Sequence, residues 1–393
     1  MKLCYLLVFS YLAFAEGTST QKALHDGNSQ FTSRMFSEVV RLNKGKSVVL
    51  SAFSVITPLS QLAVASEGPS HDELLNAVGF PDDATTNEVF ALVDEKFNSI
   101  QGIELKKASK LYIPVGYEVQ ESFAAVSRDV YHSEIANINF SDSTNSAKEI
   151  NTWVEDQTNH RIKDLVDPSS ITSDTRGILV NALYFKGSWK YPFNTYATRS
   201  QDFFVNKEKS IQVQMMYNKE DYKYKESDIL KSKILELPYD GDQSSFIIVL
   251  PNDVEGLEQV IEKLKDPQIL DKETSEMSYF EVSASIPKFK IETKTDLKEV
   301  LINMNITKMF GEQANLSKLL KTDEKMFISD AVQKAFIEIN EEGAEAAAAN
   351  VFGIVGTSAV IFNPSFEFVA DHPFAYFLKA QDEIIFNGVF YGS

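Results

Sequence analysis

The chain has 393 residues, 44 % hydrophobic and 24 % charged, with a formal net charge of −18. That is a globular composition, long enough to bury a large core, and its acidic balance argues against binding nucleic acid or heparin-like polyanions, which need clustered Lys and Arg. Five histidines and one cysteine leave no disulfide framework and no cysteine-rich zinc site.

At the N-terminus, Met1-Lys2 precedes an apolar run from Leu3 to Ala15 that ends Ala13-Phe14-Ala15. A positive start, a short apolar stretch and an A-x-A end predict a secretory signal peptide over residues 1–15. The run is too short to span a bilayer, and no other stretch is long and apolar enough to do so, so no membrane anchor is expected. Cleavage after Ala15 would remove Cys4, the single cysteine. In a secretory route the sequons at Asn139, Asn305 and Asn315 are candidate glycosylation sites, whereas Asn363-Pro364-Ser365 is excluded by its proline.

Phe31, Met35, Val39 and Leu42 recur at near-four spacing and predict a helix, with Asn28 and Ser29 as cap candidates. Asp82 to Glu95 contains no Lys or Arg. Ile150, Trp153, Val154, Ile162 and Leu165 predict a second helix, ended by Asp167-Pro168. The period then becomes strand-like. Gly177 to Phe185, Ile234 to Leu237 and Phe246 to Leu250 read as buried strands, the last two separated by the turn Tyr239-Asp240-Gly241-Asp242. Phe280 to Ile291 and Phe366 to Phe390 are also strand-rich. Helices first, strands later and no linker between them predict one α+β domain.

No catalytic constellation emerges. The histidines at 25, 71, 132, 160 and 372 are dispersed, no H-E-x-x-H or G-x-S-x-G occurs, and Gly45-Lys46-Ser47 has Val40 where a phosphate-binding loop needs Gly. The chain is therefore not read as an enzyme, and no metal or cofactor is expected.

Residues 338–362 stand apart. A Glu/Ala run is followed by an apolar, β-branched stretch interrupted by Gly353 and Gly356. One short helix plus a buried strand would account for it; so would a segment with two alternative homes. Read as a strand, Ala344, Ala346, Ala348, Asn350, Phe352 and Ile354 share one face, and Glu345, Ala347, Ala349 and Val351 the other. The face led by Ala344, Ala346 and Ala348 begins with small side chains and carries no proline or charge, so it could be buried as a strand. Asn350 would need a hydrogen-bond partner once buried.

Several motifs, in order, carry a resemblance. They are Ser51-Ala52-Phe53-Ser54, Asn151-Thr152-Trp153-Val154, the run Asn181 to Trp189, Leu235-Glu236-Leu237-Pro238-Tyr239, Pro287-Lys288-Phe289-Lys290, Asn340-Glu341-Glu342-Gly343 and Asp371-His372-Pro373-Phe374. Together they resemble the serpin family over nearly the whole mature chain, residues 16–393, with similarity to insect haemolymph serpins. The resemblance implies one domain with three β-sheets, eight or nine helices and an exposed reactive loop at about 341–365. It implies a secreted suicide inhibitor that forms a covalent one-to-one complex with a serine protease, acting as a monomer in the extracellular space, or in the alternative a non-inhibitory carrier, chaperone or storage protein.

By the family's usual count the cleaved residue is the fourteenth after Gly343. That is Thr357, with Ser358 beyond the scissile bond and Val355 and Gly356 as neighbouring candidates. The hinge is Glu341, Glu342, Gly343, Ala344, Glu345, Ala346, Ala347, Ala348 and Ala349. No Arg or Lys occurs between Gly343 and Asp371, which disfavours trypsin-like targets and favours elastase-, subtilisin- or chymotrypsin-like ones. Ser51, Ser54 and Asn181 match the family's hydrogen-bonded cluster under the opening sheet, with Gln333 in place of its usual His. Trp189 and a Lys288–Glu341 pair match the place where the loop first enters. Helix capping by Ser51 and Ser54, and core packing by Trp189, are the plainer readings of those three. Asn305 stands where relatives often have Gly and can adopt a left-handed backbone.

Overall fold

A computed structural model describes residues 2–98, 100–322, 324–343 and 364–392, with side chains from Ser19 onward apart from 94–96 and 98. The first third is helical: α1 (Lys2–Leu42), β1 (Val48–Leu50), α2 (Ala52–Val64), α3 (Pro69–Val78), α4 (Asp83–Asn98), β2 (Ile103–Pro114), α5 (Glu121–Asp129), β3 (Glu134–Ile138) and α6 (Ser143–Gln157). Strands then dominate: β4 (Ile178–Gly187), β5 (Arg199–Phe204), β6 (Ser210–Ser227), β7 (Ser232–Pro238) and β8 (Ser244–Pro251). The remainder is α7 (Leu257–Lys263), α8 (Pro267–Ser275), β9 (Ser278–Pro287), β10 (Phe289–Asp296), α9 (Leu297–Asn303), β11 (Asp330–Ile339), β12 (Ser365–Val369), β13 (Phe374–Ala380) and β14 (Glu383–Phe390).

Local chemistry sets the ends. Ser51 caps α2, its Oγ accepting from the Ser54 N–H at 3.1 Å. Pro69 opens α3 and left-handed Gly79 closes it. Two sequence expectations need correction here. Asn28 does not cap a helix; it lies inside α1, buried, and its amide donates to Glu383 (2.9 Å) and to the Ile384 carbonyl (3.1 Å). The second helix ends at Gln157 rather than at Asp167, because Asn159 and His160 are left-handed (φ 50° and 57°). Ile162 and Leu165 are still buried, in the segment that folds back beneath α6.

The strands form two hydrogen-bonded networks among the described residues. One is nine-stranded, β1-β14-β13-β8-β7-β6-β9-β12 with β5 on β6. The other is five-stranded, β10-β11-β4-β2-β3. Three sheets were expected; two of them are continuous because the 18-residue β6 pairs with β5 at its start and with β7 at its end.

The five-stranded sheet lies between two cores. Leu179, Leu183 and Phe185 of β4, with Ala331, Ala335 and Ile337 of β11, face the main core. Their alternates, Val180, Ala182 and Tyr184 with Val332 and Phe336, pack under α6 against Ile150 and Val154. At its centre β4 and β11 run parallel, Ile178–Tyr184 beside Asp330–Phe336. Parallel neighbours need a long crossover, so this seam joins strands far apart in sequence.

Candidate functional site

The seam between β4 and β11 carries most of the residues singled out from sequence. Midway along it Asn181 and Gln333 stand directly opposite. Both point toward α2, where the capped helix start presents Ser51 and Ser54. Gln333 Nε2 donates within 2.8–3.1 Å of the Ser51 carbonyl, Ser54 Oγ and Asn181 Oδ1, and its Oε1 accepts from the Ser51 N–H at 3.2 Å. Ser54 Oγ lies 2.7 Å from Asn181 Oδ1, and Asn181 Nδ2 donates to the Ser54 carbonyl at 2.9 Å. All four residues are buried. The two serines cap a helix and also tie it to the seam. None of the four side chains titrates near neutral pH.

At the head of the seam the chain turns. Asn340 and Gly343 exchange both backbone hydrogen bonds, at 3.0 and 3.3 Å, which closes a two-residue hairpin around Glu341-Glu342. Gly343 also bridges Ser188, just past the end of β4. It therefore sits between the extensions of the two parallel strands. Only glycine fits: its φ is +122°, and a Cβ there would lie 2.1 Å from the Gly187 carbonyl oxygen.

Trp189 holds this hairpin. Its backbone N–H donates to the Glu342 carbonyl (3.1 Å) and its indole N–H to the Asn340 carbonyl (2.9 Å). The ring is stacked on Tyr239 with centroids 4.5 Å apart and planes 7° from parallel. Lys288 lies 3.0 Å from one oxygen of Glu341, and Thr198 Oγ1 donates to the other at 2.9 Å. Burial resists ionisation of Glu341, but these hydrogen bonds outweigh it and hold the carboxyl below its ordinary value. Packing by Trp189 and its polar role are thus the same fact.

The structure brings together Ser51, Ser54, Asn181 and Gln333 in one cluster, and Trp189, Lys288, Glu341, Glu342 and Gly343 in another. Asn139, Asn305 and Asn315 are exposed and apart from both. Asn305 is left-handed (φ 64°), as its replacement of glycine suggested. Ala344, Glu345, Ala346, Ala347, Ala348 and Ala349, and the reactive-bond candidates Val355, Gly356, Thr357 and Ser358, lie outside the described residues. Three contributors carried no assigned role in sequence. Tyr239 lay within a quoted motif, but Thr198 and Phe193, whose N–H donates to the Glu341 carbonyl at 2.7 Å, had no local signal. Among the described residues no group of three or more His, Cys, Asp or Glu could hold a metal ion, and no helix is long and apolar enough to cross a membrane.

Known proteins share this architecture. A sequence model described as "Serpin (serine protease inhibitor)" matches residues 26–392. Antichymotrypsin-2 of Bombyx mori is 53 % identical over 374 residues, covering 95 % of this chain and 99 % of its own. Alaserpin of Manduca sexta is 52 % identical over 378 residues, 96 % of each. The crystal structure of Serpin48, described as a highly specific serpin of the insect Tenebrio molitor, superposes with a TM-score of 0.87 at 32 % identity, covering 95 % of this chain and 98 % of that one. With a match across nearly its whole length and a fold to go with it, the chain belongs to the serpin family.

Proposed function

We propose that this serpin is a secreted suicide inhibitor of serine proteases, cleaved after Thr357. The observation that best supports this reading is the seat of Gly343 between Asn340 and Ser188, at the head of two parallel strands that have no antiparallel strand between them. In the proposed reaction the protease serine Oγ adds to the Thr357 carbonyl carbon. The bond to the Ser358 nitrogen breaks, that nitrogen leaves as an amine with a proton from the protease's general acid, and an acyl ester remains. Residues 344–356 then enter the seam as a new strand and carry the tethered protease away before water can hydrolyse the ester.

Target class follows from pocket chemistry. A trypsin-like pocket carboxylate would find no cation between Gly343 and Asp371. Thr357 and Val355 suit small hydrophobic pockets of elastase or subtilisin type, while the relative named antichymotrypsin-2 keeps chymotrypsin-like enzymes in the set. The complex is one-to-one and covalent, the inhibitor a monomer released after removal of residues 1–15, and Asn139, Asn305 and Asn315 are its glycosylation sites. No nucleic acid, membrane or heparin partner is invoked.

The test is incubation of residues 16–393 with pancreatic elastase, subtilisin, chymotrypsin and trypsin, read on denaturing gels with mass spectrometry of the released peptide. A covalent band with elastase or subtilisin and a peptide starting at Ser358 is expected. Cleavage by every protease without a covalent band, in a protein whose melting point then does not rise, would overturn the reading in favour of a non-inhibitory carrier, chaperone or storage role.

A further inference from the structure

Aspartate or asparagine precedes glycine at three places: Asp26-Gly27, Asp240-Gly241 and Asn387-Gly388. Such pairs are chemically labile, because glycine has no Cβ to keep its backbone nitrogen away from the neighbouring carboxyl or amide carbon. The fold treats the three differently. Gly27 is buried inside α1, where an added Cβ would lie 2.7 Å from the Val78 carbonyl oxygen. Asn387 and Gly388 are buried in β14, between β1 and β13. In both places regular hydrogen bonding and close packing hold the backbone. Asp240-Gly241 instead lies in the turn between β7 and β8, and both of its residues are exposed.

There the reacting groups already meet. The Gly241 N–H donates to Asp240 Oδ1 at 3.1 Å, and among the described residues no backbone carbonyl accepts from it. We propose that Asp240-Gly241 is a spontaneous modification site, at which aspartate converts to isoaspartate through a cyclic imide and loosens the brace behind the Asn340–Gly343 hairpin. The Gly241 nitrogen attacks Cγ of the Asp240 carboxyl group, which solvent has protonated. The carboxyl's hydroxyl leaves with the nitrogen's proton as water, and a five-membered imide remains. Water then opens the ring. Attack at Cγ restores aspartate. Attack at the Asp240 main-chain carbonyl leaves the chain running through Cβ and Cγ, with the former main-chain carbonyl as a free carboxylate. Nothing is oxidised or reduced, and net charge is unchanged. The ring-closing step is intramolecular between groups already in reach, which is what lets it proceed without an enzyme.

This turn is joined to the head of the seam. The Asp240 N–H donates to the Ser188 carbonyl at 2.8 Å, and the Ser188 N–H donates to the Gly102 carbonyl at 3.1 Å. Gly102 in turn packs on the Asp240 main chain so closely that a Cβ there would lie 2.1 Å from the Asp240 carbonyl oxygen. Ser188 is thus seated by Gly102 and Asp240 together, and Ser188 is the residue that bridges Gly343. Tyr239, just before the turn, carries the ring stacked on Trp189, and Asp242, just after it, pairs with Lys190 at 2.6 Å. Isoaspartate lengthens the main chain by one carbon and puts a charged carboxylate where a neutral carbonyl packs on Gly102. Both changes press on the contact that seats Ser188. The modification therefore acts on the hairpin from behind, through its support, and it needs no protease and does not depend on the inhibitory reading.

The purified chain is held for weeks at neutral pH in water enriched in the heavy oxygen isotope, then digested and mapped by mass spectrometry. Each passage through the imide takes up one oxygen from that water, and isoaspartate is scored by enzymatic methylation. Label and isoaspartate should accumulate in the peptide carrying Asp240 and stay at background in those carrying Asp26 and Asn387. In a Trp153→Phe background, which removes the other tryptophan, Trp189 emission should move to longer wavelength on ageing and the melting point should fall. Asp240→Glu, which can close only a less favourable six-membered ring, should age without any of these changes. Asp240→Asn, which expels ammonia in place of water, should reach the same product several-fold sooner. Equal modification at all three places, or none at Asp240, would overturn the site. Asp240→Asn no faster than the parent would overturn the imide route. Modified Asp240 with unchanged emission and melting point would overturn its effect on the hairpin.

Discussion

Lys288 lies 3.0 Å from Glu341, an exposed ammonium against a carboxylate whose side chain is only 10 % accessible. The asymmetry decides what each substitution does. Lys288→Met leaves the buried Glu341 carboxylate without a cation, with Thr198 and its own backbone N–H as partners, and the loss should be about 1–2 kcal/mol, tempered by solvent screening at the lysine end. Because the pair holds the two-residue hairpin at the seam, the effect should show as faster self-insertion or self-association of the uncleaved protein on mild heating. Native gels with and without Lys288→Met check this. Acid should act in the same direction: Glu341 is held below its ordinary value of 4.5, so its contribution is present above that pH and disappears as pH falls through the lowered value.

Gly343 makes a sharper test of the hairpin. With φ at +122° and the Gly187 carbonyl where a Cβ would go, Gly343→Ala cannot keep both bridges. The left-handed strain alone is on the order of 1–3 kcal/mol. The hairpin should detach from Ser188, and the fluorescence of Trp189, which is stacked on Tyr239 and bonded to Asn340, should shift to longer wavelength as its ring is exposed. An unshifted spectrum would mean that the hairpin tolerates the methyl group.

Much of this site was legible in sequence through a resemblance: Asn181, Gln333 and Gly343 were placed by motifs similar to a family's. The structure adds the physical reason those residue types suit their places, since Asn181 and Gln333 satisfy each other inside a buried strand pair and Gly343 holds a backbone that a Cβ would obstruct. What escaped was set by distant neighbours. Asn28 reads as a cap but is drawn into the helix interior by Glu383, which lies 355 residues away. Thr198 is one threonine among many until Glu341 is placed beside it. The end of α6 was misread because Ile162 and Leu165 are buried by a fold-back rather than by a continuing helix, and burial alone leaves the same apolar spacing.

His25 gives a pH dependence of opposite sign. Its hydrogen bond to Asp271 at 2.9 Å, against the opposing effect of burial, raises it from 6.5 to about 9, with Asp271 and buried Glu383 adding charge. A raised value means that the stabilisation is fully present below pH 6.5 and is lost as pH climbs through about 9. The pair joins α1 to α8, so urea midpoints measured from pH 6 to pH 10 should fall across that window in the parent and fall less in His25→Gln.

Gln333 explains why no such response is expected at the buried cluster it forms with Ser51, Ser54 and Asn181. Replacing it with histidine puts a titratable ring into a fully buried site bonded to Ser51, Ser54 and Asn181. Burial disfavours the charged imidazole, so its folded value should lie below the unfolded one of about 6.5. The cluster would then be intact above that pH and weaken as pH falls through the lowered value. Gln333→His should acquire an acid-dependent loss of thermal stability between roughly pH 6.5 and 5 that the parent lacks. Parallel curves for the two proteins over that range would show that the cluster does not hold the seam.

At the nine-stranded sheet Lys225 of β6 reaches Glu273 of α8 at 3.0 Å and Glu276 at 2.5 Å. Glu273 is 1 % exposed, so its charge has been taken out of water and depends on that one lysine. Removing the cation alone should be costly: Lys225→Met is expected to destabilise by about 3–5 kcal/mol, the usual penalty for an uncompensated buried charge. Removing both charges should not be. Lys225→Met with Glu273→Leu replaces the pair by apolar groups of similar volume and should recover most of the loss, since the desolvation cost vanishes with the attraction. Glu276, at the exposed end of the helix, should contribute far less than Glu273 by the same cycle. A double variant as unstable as Lys225→Met would mean that the lysine stem matters more than its charge.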